Sequence, residues 1–269
     1  MNKAWLYPHT AERNYQRMLI GVVNSMDAAY LKRLDLLRMD GWSDDLTAAI
    51  EYLLALGLAA GRAVTLRLPE VYAQVNIFND RQWRLVTKAG TGLEIGPSAT
   101  LPLGAVPFGN VSAPGHIRAR FGVGVDVYRS EPWLAARQTN WIAQNAALIK
   151  SIPEQHMARV ESIIRSGVMV GESPKSLAAK IQEAGGVTKR RAQLIATDQI
   201  GKANAELTQY RQMDLGIKDY TWITSHDERV RSSHRVRDGV QFSWSKPPED
   251  GHPGMPIRCR CHASPIFPD

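Results

Sequence analysis

The chain has 269 residues, 44% of them hydrophobic, with 33 basic against 26 acidic side chains and a formal charge of +7. That length holds two modest domains, or one with a long helical extension, around a real core. Two cysteines exclude a disulfide scaffold, and the charge balance points toward polyanions, nucleic acid foremost. The charge is spread rather than striped: 13 basic and 10 acidic residues follow from Thr188 onward, 20 and 16 precede it. A solvated basic surface therefore explains the charge as well as a DNA contact does, and a sequence-specific DNA reader is disfavoured.

The opening "MNKAWLYPHTAERNYQRMLIGVV" has no apolar run before His9, Glu12 and Arg13 of the kind a secretory signal requires. Thr10 can cap a helix in which Tyr15, Met18, Leu19, Val22, Met26, Tyr30, Leu34 and Leu37 recur at helical spacing. After the turn "MDGWSDD", Ser43 caps a second helix carrying Leu46, Ile50, Leu53, Leu54 and Gly57. Residues 1–64 thus read as a helical hairpin. "LLALGLAAG" falls short of membrane-spanning length, which predicts no membrane partner and a soluble, cytosolic protein.

Residues 65–131 read as an irregular segment of loops and short strands, because Gly and Pro crowd Gly90 to Gly115 and the valines at 123, 125 and 127 alternate. Helices resume at residue 132. Pro153 is expected to open a new helix that Gly167 closes, Ser173 and Pro174 to start the next, Gly185 to stop it, and Thr188 to begin a last helix ending by Gly216. On that helix Asp198, Lys202 and Glu206 stand at ion-pair spacing. Trp133, Trp141, Trp222 and Trp244 fit core anchors, while His116 and His156 suggest only surface or turn positions. Residues 217–269 form a compact end module, with strands around Tyr220–Thr224 and "GVQFSWS". The fold class is α+β: mostly helical in its N-terminal and middle regions, with a small C-terminal α+β module, and residues 132–269 forming one domain.

The chemistry concentrates in "SHDERVRSSH" (residues 225–234) and "RCRCH" (residues 258–262). Cys259 and Cys261 could clip a zinc ion completed from His234, His226, His252, His262 or Asp227. The one-residue spacing is tighter than the usual zinc pattern, and two small buried thiols in a tight turn explain it too. His234, Asp227 and Glu228 could serve acid–base chemistry with Arg229 or Arg231 on a phosphate, as in a metal-dependent nuclease or toxin-like enzyme, but no nucleophile is fixed. Arg229, Arg231, Arg235 and Arg237 would align on one side of an extended strand and contact phosphates, unless Asp227, Glu228 and Asp238 neutralise them in a solvated loop.

Several separated motifs together resemble the phage head morphogenesis family, the Mu F-like minor head proteins. They are Ala196, Asp198 and Asn204 on a helix, then Gly216, Tyr220 and Trp222. A core of Asp227, Arg229, Val230, Arg231 and His234 follows, then Gly239, and last His252, Pro253, Cys259, Arg260 and Cys261. The resemblance covers roughly Trp133 to Pro265; Ser232 and Ser233 after Arg231, and Arg258 before Cys259, depart from the family pattern. It implies a low-copy head protein, assembled in the host cytoplasm; the residues themselves fix no catalytic set. Its partners would be the portal, the major capsid or scaffold proteins, and packaged double-stranded DNA. Whether a metal is bound, by His234, Cys259, Cys261 and Asp227 or otherwise, does not follow from the resemblance.

Overall fold

The computed structural model describes residues 6–34, 42–98 and 130–267. Its helices are α1 (His9–Leu34), α2 (Trp42–Leu66), α3 (Leu68–Thr91), α4 (Leu134–Met169), α5 (Pro174–Asp214) and the single turn α6 (Ser232–Arg235). Its strands are β1 (Asp219–Ile223), β2 (Gln241–Ser243) and β3 (His262–Pro265). The α+β class holds, with the sheet confined to the end module. Residues group into two compact units that do not follow chain order: 12–68 with 141–197, and 1–11 with 69–140 and 198–269.

The first unit is helical. The α1 stripe buries Tyr15, Leu19, Val22, Met26 and Tyr30, as the spacing predicts. Met26 and Tyr30 join Leu53, Met157, Val160, Ile164 and Ile181 in one apolar cluster. Gly57 lets α2 come close: a Cβ there would lie 2.5 Å from Met26 Sδ and 2.7 Å from Pro153 Cβ.

Two expected breaks in this unit are absent. Pro153 lies inside α4, whose 36 residues run through it, rather than opening a helix. Likewise α5 runs 41 residues through Gly185. The glycine serves close approach instead of termination, because a Cβ at Gly185 would stand 2.8 Å from Asp27 Oδ2. His156 is also not at the surface. It is buried, with Nδ1 3.0 Å from Thr188 Oγ1 and Nε2 3.3 Å from Asp27, which Lys189 pairs at 3.0 Å. The Ser173 cap is present: Ser173 Oγ accepts from the Ser176 N–H.

The second unit corrects the reading of residues 65–131. Residues 68–91 are helical, and their buried face is Leu68, Val71, Tyr72, Val75, Asn76, Asn79, Asp80, Trp83 and Thr87. The helical period is intact, but four of these nine positions are polar, so an apolar count misses it. The alternating valines at 123, 125 and 127, and His116, lie outside the described residues. By length and composition alone, Thr47–Thr91 passes for a membrane-spanning stretch, a test that the core helices of soluble proteins also pass. The stretch is interrupted at Arg67, between α2 and α3.

The polar positions of α3 feed a buried network. Arg211, at 1% exposure, donates from Nε to Glu131 Oε1 at 2.8 Å and from Nη2 to Oε2 at 3.0 Å. It also donates to the side-chain oxygens of Asn76 and Asn79. Asn79 in turn donates to Asn204 and Thr208 of α5. Gly216, at φ 76°, ends the turn after α5 and hands the chain to the sheet.

Candidate metal centre

The end module is built on β1, the central strand of the antiparallel order β2-β1-β3. The Tyr220/Trp222 alternation puts both rings on the buried face, where they pack with Trp244, Cys259, Cys261 and Ala263. The module leans on α5 through Gln212, which donates to the Ala263 carbonyl at 2.9 Å and accepts from Trp244 Nε1 at 3.1 Å. The last part of α5, from Asp198 onward, thus packs against the module.

His234 sits in the one-turn helix α6, opened by an extended Arg231. Its ring meets Trp222 edge-on at 5.1 Å, which aims Nδ1 inward. The cysteines arrive after a tight turn closed by the Cys259 N–H on the Pro256 carbonyl, with Arg258 at φ 58°. The Arg258 N–H is fixed by Asp198 Oδ1 at 3.1 Å, so Asp198 does more than pair Lys202 at 2.7 Å. From Cys259 the chain runs extended toward β3, and successive side chains alternate sides. The one-residue gap that looks too short for a zinc loop is what a strand needs to set both thiols on one face.

The result is a three-donor cluster. His234 Nδ1 lies 3.5 Å from Cys259 Sγ and 3.5 Å from Cys261 Sγ, and all three atoms lie within 4.8 Å of one another. His234 is 2% exposed and each cysteine 7%. Both thiols are free. Behind the ring, His234 Nε2 is 2.9 Å from Asp250 Oδ2, and Arg237 donates to the other carboxylate oxygen. Burial alone would raise the Asp250 carboxyl, but the hydrogen bonds from Arg237 and His234 outweigh it and hold the group below its ordinary range.

The thiols act as a pair. Hydrogen bonding from the Cys261 thiol, helped by the Gly254 N–H at 3.4 Å, brings Cys259 down to about 6 against burial, while the same bond and burial push Cys261 up. The Trp222 indole N–H and the Ser225 backbone N–H act on the Cys261 sulfur in favour of the thiolate.

The other expected residues are elsewhere. Asp227 stands outside the cluster: its carboxylate accepts from Arg260 and from the Arg229 N–H. His252 accepts from or donates to Tyr220 Oη at 2.9 Å, and His226 lies 3.5 Å from Asp238. Burial, reinforced by His226, lowers His262 to about 4 and keeps it neutral. A cavity of about 980 Å³ is bordered by His226, Asp227, Arg260 and His262, and by none of the three clustered donors. A nuclease set of His234, Asp227 and Glu228 is therefore not assembled around one opening.

The arginine ladder is not formed either, because α6 interrupts the extended run. Arg231 donates to the Ile257 carbonyl, Arg235 to the Val230 carbonyl, and Arg237 to Asp250 while covering the Trp222 ring at 5.1 Å. Arg229, Arg231 and Arg235 keep exposed side chains. Sequence reasoning missed Asp250 and Gln212. Neither stands at a motif spacing, since each acts through a contact closed only by the fold.

Residues 158–264 match the family model of Phage Mu protein F like proteins. The chain is 39% identical over 154 residues to an uncharacterized protein of Haemophilus influenzae strain Rd; the alignment covers 56% of this chain and 34% of the relative. No solved structure matches significantly. The family resemblance seen in the motifs is thereby borne out over residues 158–264, and the alignment spans about a third of the relative's length.

Proposed function

We propose, starting from that Mu F-like segment, that the chain is a minor head protein: a low-copy structural component at the portal or in the head interior. In this role it helps assemble a productive head and supports DNA packaging or ejection. Its partners are the portal protein, then the major capsid or scaffold proteins, and it is assembled in the host cytoplasm. The family match over residues 158–264 carries this reading.

The charge of +7 supports proximity to packaged DNA. The exposed Arg229, Arg231 and Arg235 would be the first contacts in a sequence-independent mode. No catalytic step is assigned to the chain. The separation of the three-donor cluster from the 980 Å³ cavity supports a structural rather than hydrolytic use of His234.

The test is deletion of the coding segment from the phage or prophage that carries it. Lysates should lose full heads and accumulate empty or aberrant ones, and tagged protein should bring down the portal. Normal yields of infectious particles, with the protein absent from purified heads, would end the proposal. Cleavage of DNA or RNA by the purified chain, abolished in His234→Ala, would instead establish the nuclease reading.

A further inference from the structure

We propose that Cys259, Cys261 and His234 hold one zinc ion in a buried structural site, with Asp250 bracing the imidazole from behind. Zinc bonds of about 2.3 Å to sulfur and 2.0–2.1 Å to nitrogen at tetrahedral angles imply a sulfur–nitrogen separation of about 3.5 Å. Both separations in the structure are 3.5 Å. The donors come from three places in the chain, α6 and two positions on the approach to β3, yet they converge on one point.

The surroundings match what such a ligand set needs. Zinc takes the Nδ1 lone pair, so the ring must carry its proton on Nε2, and Asp250 Oδ2 at 2.9 Å accepts that proton's hydrogen bond. The Gly254 N–H points at Cys259 Sγ, and the buried Trp222 packs in the same core cluster as both sulfurs. Two thiolates and an imidazole select a soft or borderline ion, and zinc is the redox-neutral choice. On binding, each thiol loses its proton to solvent as its sulfur–zinc bond forms. At 2–7% exposure the ligands leave no path for a substrate.

The experiment is elemental analysis of the 269-residue chain, expressed with micromolar zinc and purified without chelator. Beside it runs cobalt(II) exchange read by near-ultraviolet thiolate charge transfer and visible bands. One zinc per chain is expected, with the tetrahedral thiolate–cobalt spectrum. Cys259→Ser with Cys261→Ser should abolish both, and Asp250→Asn, which keeps every ligand, should weaken zinc binding roughly 10–100-fold. Wild-type protein that takes up neither ion overturns the site, and so does zinc retained by the double variant. The wild-type cobalt spectrum decides even if a variant fails to fold. None of these outcomes bears on the head-protein reading, which stands or falls on particle assembly.

Discussion

Removing the carboxylate of Glu131 should be among the most damaging single changes in the unit that carries the end module. Its side chain is 1% exposed and that of Arg211 is 0%, and the two meet through parallel 2.8 and 3.0 Å hydrogen bonds. Glu131→Ala leaves the guanidinium in place, held by Asn76 and Asn79, but without a countercharge and without water. A buried charge stripped of its partner costs about 3–5 kcal/mol, a large share of a total stability of about 5–15 kcal/mol. At roughly 2–4 °C per kcal/mol for a chain of this size, the transition should fall by roughly 6–20 °C. Differential scanning calorimetry and urea titration at pH 7 measure it. Should the two units melt separately, only the one containing Arg211 should move. Glu131→Gln keeps one acceptor and should cost less. A Glu131→Ala transition unchanged within about 0.5 kcal/mol would refute the claim that Arg211 is sealed from solvent.

In the helical unit, Gly57→Ala gains about 1 kcal/mol of helix propensity but drives a methyl to 2.7 Å from Pro153 Cβ, overpacking worth about 1–3 kcal/mol; a net loss in urea midpoint is expected, and a stabilised variant would contradict the packing. Gln212→Ala orphans the Ala263 carbonyl and the Trp244 indole N–H, at about 1–3 kcal/mol each, and hydrogen exchange should show β1 and β3 opening more readily. For Asp27, burial would raise the carboxyl, yet hydrogen bonds from His156 and Lys189 bring it below its ordinary 3.8. The folded state therefore binds this proton less readily than the unfolded one. The stabilisation is complete above that value and drains as the pH falls through it. Wild type should exceed Asp27→Asn in urea midpoint at pH 7, with the gap closing below about pH 4; a gap that ignores pH would show the ion pairs contribute nothing.

What the sequence made legible follows from how local each signal is. The α1 stripe and the Tyr220/Trp222 alternation are set by residues a few positions apart, and both appear as read. The Ser173 cap is a three-residue event and is present. The helix α3 was hidden because Asn76, Asn79 and Asp80 occupy its buried face, and their partners, Arg211, Asn204 and the Ser98 N–H, lie 18 to 135 residues away. Gly185 and Pro153 are residue types that punctuate helices, yet both lie in helix–helix contacts, against Asp27 and Gly57. Punctuation rules describe an isolated chain, and tertiary packing overrides them where a neighbour needs the space.

The candidate site divides along the same line. Two cysteines and a histidine were visible as chemistry, but the choice among four histidines and Asp227 required the fold. Trp222 aims His234, Arg258 turns the chain, and an extended backbone aligns the sulfurs. These residues also bear on why the module holds together. About fifty residues bury too little to stand without a staple or a neighbour. Here Gln212 and Asp198 supply the neighbour by gripping the module from α5. His234, Cys259 and Cys261 draw α6 to the approach to β3, two segments that no ladder hydrogen bond joins. The two tethers act on different parts of the module, so losses from Gln212→Ala and from Cys259→Ser should add within about 0.5 kcal/mol if they are independent. A large coupling energy would instead mean that the α5 contact is what brings the two thiols within reach of His234.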